Sequence, residues 1–298
     1  MAGKKPDARA FAKDLMRGEH VVGQHNGTLH QAETGREWSD EFSGGDALAG
    51  AGTSIFDPVL CELMYRWFSP VGGAVLDPFA GGSVRGIVAA ALGRAYTGID
   101  LSARQVAANE AQWAALGAGL DGFGVTAPVP PRWIVGDSTQ VATLAAGEYD
   151  FVFSCPPYAD LECYSEDPRD LSTMQWPEFL TAYRAIITGA VGMLKPDRFA
   201  CFVVGEVRDP KGFYRGLVPE TIRAFEDAGA RYYNEAILVT SVGSLPVRVG
   251  RQFAAGRKLG KTHQNVLMFV KGNPKKAAKA CGEVSGVAMP PEDDDLAH

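Results

Sequence analysis

From Phe56 onward the chain alternates between two kinds of apolar spacing. Phe56 to Phe68 (FDPVLCELMYRWF) repeats apolar residues at helical intervals, with Pro58 suited to a first turn. Short continuous apolar runs follow, and these predict buried strands at Ala74 to Asp77, Ala95 to Asp100, Arg132 to Val135, Tyr149 to Phe153 and Phe199 to Val204. Between them, helical spacing predicts helices over Gly86 to Leu92, from an N-cap at Ser102 through Trp113, over Trp176 to Leu194 and over Pro219 to Ala228. Pro177 sits near the start of the third of these and Pro196 beyond its end. Ala236 to Thr240 and Asn265 to Val270, joined by a long loop, complete the strands as an antiparallel pair at one side. Strands alternating with helices imply an α/β fold, a doubly wound and mainly parallel sheet covered on both faces.

The ends differ from this middle. Residues 1–52 are polar and glycine-rich with weak periodicity, and read as an irregular arm. The folded domain is expected over 53–273. From 274 to 298, Lys275, Lys276 and Lys279 lead into small residues and then PPEDDDLAH, a charged tail with little to bury and expected to be disordered.

Composition narrows the class without naming an activity. Apolar residues at 46% and charged ones at 21% suit an enzyme with a sizeable core. The net charge of −6 supplies no global positive field, so any nucleic-acid surface must be local. Five widely spaced cysteines without a CxxC pair argue against a disulfide framework or a zinc site and for a reducing cytosol. No metal is expected. No apolar stretch approaches the roughly 20 residues that span a bilayer, and MAGKKPDARA lacks the apolar segment of a signal peptide.

Two strand ends carry the chemistry. The first reads AVLDPFA and runs into Gly81 and Gly82, an acidic residue followed by a glycine turn that suits a nucleoside cofactor. In an open α/β sheet a ligand sits at the carboxyl ends of the strands, and Asp77, Asp100 and Asp137 close three successive strands there. Asp100 follows the glycine turn near the roughly 20-residue offset at which a carboxylate meets ribose hydroxyls. Asp77 with the backbone of Gly81 and Gly82 would hold the cofactor's amino-acid end. Asp137 with Ser138 would accept from its adenine amino group, and Phe79 and Leu101 would supply apolar contact. A lone strand-end aspartate most often caps a turn; three in succession with a glycine turn favour the binding role. GxGxxG is absent, and DPFAGGS lacks phosphate-cradling spacing, which points to a cofactor without a pyrophosphate.

The second strand end, YDFVFSCPPY, terminates in two prolines and a tyrosine. An exocyclic amino group of adenine or cytosine is a poor nucleophile because its lone pair is delocalised into the ring. Accepting its hydrogens drives the nitrogen toward a tetrahedral shape with the lone pair aimed at an incoming methyl. Pro156 and Pro157 lack N–H groups and stiffen the turn, leaving carbonyls to accept, with that of Pro156 the first candidate. Tyr158 offers a ring on which an extruded base could stack, worth about 1–3 kcal/mol, and a duplex base must be flipped to reach it. The two turns together point to S-adenosylmethionine as the methyl donor.

These residues carry a resemblance. Asp77-Pro78-Phe79-Ala80-Gly81-Gly82 and Cys155-Pro156-Pro157-Tyr158 resemble the DPFxGxG and [DNS]PP[YFW] signatures of the DNA amino-methyltransferases that act at adenine N6 or cytosine N4. The likeness covers about Thr53 to Gly272, and many phage-encoded or prophage-encoded members share this length and order. It implies a class I S-adenosylmethionine-dependent methyltransferase fold, DNA as partner, a bacterial or phage-infected cytosol and a possible place in restriction-modification. It also implies that the segment holding Phe56 and Asp57 touches the methionine part of the cofactor. The chain departs from the family in continuing GGS instead of GSG, and in placing Cys155 where the family has Asp, Asn or Ser. Sulfur is a weak acceptor, so the second amino hydrogen would go to Ser154, to water or to nothing. The cysteine also leaves open a nucleophile acting at a pyrimidine ring carbon. An RNA base methyltransferase and a cofactor-binding protein with little catalysis complete the alternatives.

From Thr240 to Lys276 the chain has no acidic residue, and Arg248, Arg251, Arg257, Lys258 and Lys261 sit in a glycine-rich loop expected over 241–264. Such a loop could follow a phosphate backbone, with Gln252 and Phe253 available for base or groove contact. Ala159 to Met174, acidic and polar, follows the PPY turn and is expected to close over the flipped base or to cover the groove.

Overall fold

The computed structural model describes residues 55–116, 128–158, 164–240 and 245–284, with backbone alone for 245–248. The arm at 1–52 and the last residues, 285–298, lie outside the described residues.

Seven strands form one sheet: β1 (Ala74–Asp77), β2 (Ala95–Asp100), β3 (Arg132–Val135), β4 (Tyr149–Ser154), β5 (Leu194–Val204), β6 (Arg231–Val239) and β7 (His263–Lys271), in the order β3-β2-β1-β4-β5-β7-β6. β1 pairs in parallel with β2 and β4, β2 with β3, and β4 with β5. β7 runs antiparallel to both β5 and β6. This is the doubly wound sheet of the class I methyltransferase type, with an antiparallel pair at one side.

The helices are α1 (Pro58–Phe68), α2 (Val84–Ala91), α3 (Ala103–Leu116), α4 (Val141–Leu144), α5 (Trp176–Met193), α6 (Leu217–Asp227), α7 (Leu245–Gly256) and α8 (Pro274–Cys281). Two start where the sequence signals them. Asp57 Oδ1 accepts from the Val59 and Leu60 amides ahead of α1, and Ser102 Oγ accepts from the Gln105 amide ahead of α3.

Strand alternation divides the core into two layers. Val75, Phe151, Phe153, Phe199, Cys201 and Val203 face the layer of α1, α2 and α8. Leu76, Val152, Ala200, Phe202 and Val204 face that of α5 and α6. Strands buried on both faces need apolar residues at every position, which is why they read as continuous runs.

Three expectations need correction. β6 begins at Arg231, five residues before the predicted Ala236, because it is an edge strand whose side chains are mostly exposed and so lack the apolar run. The segment read as a glycine-rich loop contains α7; a helical glycine costs only about 1 kcal/mol, so Gly250 and Gly256 do not prevent a helix. The tail read as disordered from 274 opens with α8. Asn273 Oδ1 accepts from the Lys275 and Lys276 amides, and Ala277 is fully buried against the α1 layer. Among the described residues no helix is long and apolar enough to cross a membrane.

The chain winds from β1 toward β2 and β3 on one side and from β4 toward β5 on the other. The switch point therefore lies between β1 and β4, and in an open α/β sheet the ligand crevice lies beyond the carboxyl ends of the strands there.

Candidate active site

The turns after β1 and β4 flank that switch point. Asp77 ends β1 and is fully buried. Its Oδ1 accepts from the Phe79 amide (3.1 Å) and Ser154 Oγ (2.5 Å), and its Oδ2 from Arg85 Nε (2.6 Å) and Tyr96 Oη (2.7 Å). A carboxylate has about four lone-pair sites, so Asp77 is saturated. The sequence placed it against the cofactor's amino-acid end; the structure instead makes it the internal anchor of the turn. Arg85, on α2, also donates to the Phe79 and Ala80 carbonyls at 2.6 and 2.9 Å, and its guanidinium lies 4.5 Å from the centre of the Phe56 ring. Burial opposes the charge of Arg85, but Asp77 more than offsets this and holds it above its ordinary value. A buried ion pair is tolerated only when satisfied this completely.

The glycine turn sits above this anchor. Gly81 has φ +50°, a left-handed conformation that favours glycine, and a Cβ added at Gly81 or Gly82 would meet nothing within 4 Å. The turn thus presents open backbone to the crevice. Asp100, at the end of β2, accepts from the Gly81 amide at 2.9 Å and the Ser102 amide at 2.8 Å. Two of its four acceptor positions are used, which leaves room for two hydroxyl donors. Burial pushes the Asp100 carboxyl up to about 6, while its two backbone hydrogen bonds pull the other way. Fully buried Asn109, on α3, donates to the Gly81 carbonyl at 2.7 Å and fixes the turn from behind.

The remaining cofactor candidates divide between capping and lining. Asp137 Oδ1 accepts from the Thr139 amide at 2.8 Å and caps the short 3-10 turn after β3. Ser138 Oγ donates to the Pro78 carbonyl at 2.5 Å, tying the β3 turn to the β1 turn. Phe79 and Leu101 are half-buried, the Phe79 ring lying 6.1 Å from both Tyr183 and Phe202. Phe56 packs edge-on to Phe153 at 5.7 Å, and Asp57 is the cap of α1.

The β4 turn brings two corrections. Ser154 is fully buried, and its hydroxyl both donates to Asp77 and accepts from the Phe79 amide at 3.1 Å. It is a strut between the two turns, not a spare acceptor for an amino hydrogen. Tyr158 is 9% exposed and belongs to the α5–α6 core layer, so its ring is not an open stacking platform. Its hydroxyl accepts from Gln264 Nε2 at 2.7 Å and lies 3.9 Å from Cys155 Sγ. Burial pushes the Tyr158 phenol well above its ordinary value, so it remains protonated. Pro156 is buried, and Cys155 and Pro157 are half-buried.

Residues 159–163 lie outside the described residues, but 164–174 form a self-supported loop. Asp170 accepts from Ser165 Oγ, the Ser172 amide and Ser172 Oγ at 2.7–2.9 Å, so an acidic residue of this segment shapes the loop itself.

Of the basic candidates, Arg248 has only its backbone described, within α7. Arg251 and Arg257 are exposed, and the Arg257 guanidinium lies 5.0 Å from the centre of the exposed Phe253 ring. Lys258 packs on the hairpin that follows β5: a Cβ at Gly212 would lie 2.8 Å from its Nζ. Lys261 turns inward, with its Nζ enclosed.

Sequence patterns missed Arg85, Tyr96, Asn109 and Gln264, all of which act by holding another site residue. Only Arg85 carried a signal, as the single charge in the otherwise apolar VRGIVAAA.

No family model matches the sequence, and no curated protein matches it. Among solved structures, TrmN from Thermus thermophilus aligns over 76% of this chain and 51% of its own, at 18% identity and a TM-score of 0.47. The chain thus spans about half the length of that protein. A SAM-dependent methyltransferase from Methanosarcina mazei aligns over 70% and 97%, at 14% identity and a TM-score of 0.47. An rRNA methylase from Streptococcus thermophilus aligns over 74% and 100%, at 9% identity and a TM-score of 0.45. At these identities and TM-scores the likenesses carry no functional argument.

Proposed function

We propose that the protein transfers a methyl group from S-adenosylmethionine to the exocyclic amino group of adenine or cytosine in DNA. The observation that carries this reading is the placement of the two turns on adjacent strands, β1 and β4, on either side of the switch point. The residues present fit the cofactor: open backbone at Gly81 and Gly82, and beside it a carboxylate with two acceptor positions to spare. When bound, the cofactor supplies a methyl group on a sulfonium.

In this reading Asp100 receives the ribose hydroxyls, Gly81 and Gly82 admit the amino-acid end, and Phe79, Leu101, Asp137 and Ser138 line the nucleoside side. Phe56 adds apolar contact next to Arg85. The Pro156 carbonyl accepts an amino hydrogen of the base, withdrawing its lone pair from the ring and aiming it across the switch point. Tyr158 shapes the floor of this acceptor side, its hydroxyl held by Gln264. A nucleic acid is favoured as acceptor by the basic stretch from Thr240 to Lys276, which has no acidic side chain on a chain of net charge −6, and DNA by the resemblance of the two turns to the amino-methyltransferase signatures.

The test is methyl transfer from labelled S-adenosylmethionine to duplex DNA, single-stranded DNA and structured RNA, followed by mass spectrometry of the nucleosides. N6-methyladenine or N4-methylcytosine in DNA is expected. Label in RNA alone would move the acceptor to RNA, and tight cofactor binding with no transfer would make this a binding protein.

A further inference from the structure

The carboxyl edge of the sheet holds a second cluster outside the donor crevice. β5 ends at Val204, paired with Asn265 on β7, so Glu206 and Lys261 both lie just past that edge. Lys261 is three residues from Gln264, the side chain that holds Tyr158. Its Nζ is buried, with no hydrogen-bond partner among the described residues.

The nearest counter-charge, Glu206, acts on Lys261 electrostatically but without a hydrogen bond. Glu206 accepts from the Gly216 amide at 3.1 Å and the Val218 amide at 2.9 Å, and so caps the start of α6. Asp209, in the hairpin after β5, accepts from the Phe213 amide at 2.9 Å, and beside it stand two further cations. Arg208 donates to the Gly212 carbonyl at 2.7 Å and lies 3.9 Å from the centre of the Tyr214 ring. Lys258 lies against the same Gly212, whose φ of +92° turns the hairpin back on itself. Arg208 acts on Lys261 electrostatically, and Arg208 and Lys258 meet at Gly212, so three cations lie past the same sheet edge with Glu206 and Asp209 each bonded to backbone amides.

We propose that Lys261, with Lys258 and Arg208, forms a subsite for one phosphodiester of the acceptor strand, fixing the nucleotide whose base enters beside Pro156 and Tyr158. The subsite rests on the nucleic-acid reading above, and it separates these inward cations from Arg251 and Arg257 on the exposed face. An enclosed ammonium without an acceptor is costly, and burial pulls Lys261 below the ordinary lysine value, with Arg208 adding to this and Glu206 opposing it. A bound phosphate would remove that cost, because an opposite charge favours the ammonium. A fixed phosphate also suits base flipping, in which the nucleotide swings out about its own backbone.

The experiment measures affinity for a labelled mixed-sequence duplex across a range of salt, in the wild type and in Lys261→Met, Lys261→Arg, Lys258→Gln and Lys275→Gln. Binding of S-adenosylhomocysteine reports that each variant is folded. Lys261→Met and Lys258→Gln should each lower the slope of log affinity against log salt by about 0.9, the signature of one lost phosphate contact. Lys261→Arg should restore the slope, and Lys275→Gln, on α8 at the opposite edge, should leave it unchanged. An unaltered slope in Lys261→Met would overturn the subsite while leaving the methyltransferase reading intact. If no nucleic acid binds the wild type but inorganic pyrophosphate does, and Lys261→Met loses it, the nucleic-acid reading falls and the anion site stands with another phosphate source. If neither binds, both fall.

Discussion

Replacing Asp100 with alanine removes the one strand-end carboxylate that is both near the open glycine turn and only half used. The wild-type side chain holds the Gly81 and Ser102 amides at 2.9 and 2.8 Å and retains two acceptor positions. Hydrogen bonds to a charged group are worth about 1.5–3 kcal/mol. Losing them to the ribose should therefore weaken cofactor binding by roughly 10- to 150-fold, at about 1.4 kcal/mol per decade. Calorimetry with S-adenosylhomocysteine, which carries no sulfonium charge, isolates this contact.

The same residue predicts a pH dependence. Its folded-state value, near 6, lies above the 3.8 of an ordinary aspartate, so the folded chain holds this proton more tightly than the unfolded one. The stabilisation that this provides is complete below the ordinary value and is lost as pH rises through about 6. Hydroxyl donors favour the ionised form, so binding releases a proton, and affinity should fall by up to tenfold per pH unit below about 6. In Asp100→Ala that step should vanish. A folded variant with wild-type affinity, or one in which the step persists, would refute the assignment of Asp100 to the ribose.

Three further outcomes follow from the described contacts. Arg85→Met leaves Asp77 without its cation in a dry interior and should cost about 3–5 kcal/mol in urea unfolding, with part recovered by adding Asp77→Asn; a loss below about 1 kcal/mol would show that the pair is not an anchor. Replacing Arg251 and Arg257 together should flatten the salt dependence of DNA affinity by up to about 1.8 log units per log unit, at about 0.9 per contact, with cofactor affinity unchanged; an unchanged slope would move the DNA to another surface. Cys155→Ser should retain or raise methyl transfer, because a hydroxyl accepts better than sulfur, whereas an inactive Cys155→Ser together with a trapped adduct on 5-fluorocytosine DNA would make Cys155 a nucleophile at a ring carbon.

The parts of this molecule that were legible in the sequence are those where one physical requirement dominates. β1, β4 and β5 are buried on both faces, so their residues had to be apolar in unbroken runs. β6 was legible only at its end because an edge strand is free to carry Arg231, Asn234 and Glu235. The aspartates at the ends of β1, β2 and β3 were visible as a set, but spacing says nothing about how many donors each already has. Only the fold brings Arg85, Tyr96, Ser154 and the Phe79 amide onto Asp77, and these contacts separate it from Asp100. Tyr158 misled for a similar reason: an aromatic after two prolines reads as exposed, whereas Gln264, more than a hundred residues later, draws its hydroxyl toward β7.

The saturation of Asp77 clarifies the design of the site. Methyl transfer requires the donor carbon and the acceptor nitrogen to be held in line at roughly 3–3.5 Å before reaction. The donor is expected on the turn after β1 and the acceptor on the turn after β4, so the distance between those turns must be fixed by something rigid. Asp77 and Ser154 supply that link. The Ser154 hydroxyl bonds Asp77 across the two strands and takes the Phe79 amide, while Arg85 clamps the carbonyls of Phe79 and Ala80 from α2. Each of these groups is buried or half-buried, so water does not compete for them. Cys155 is the next residue along the chain, its thiol 3.9 Å from the Tyr158 hydroxyl. A change at position 155 should bear first on how strongly an amino hydrogen is accepted, whereas a change at Ser154 or Arg85 should bear first on the separation of the two turns.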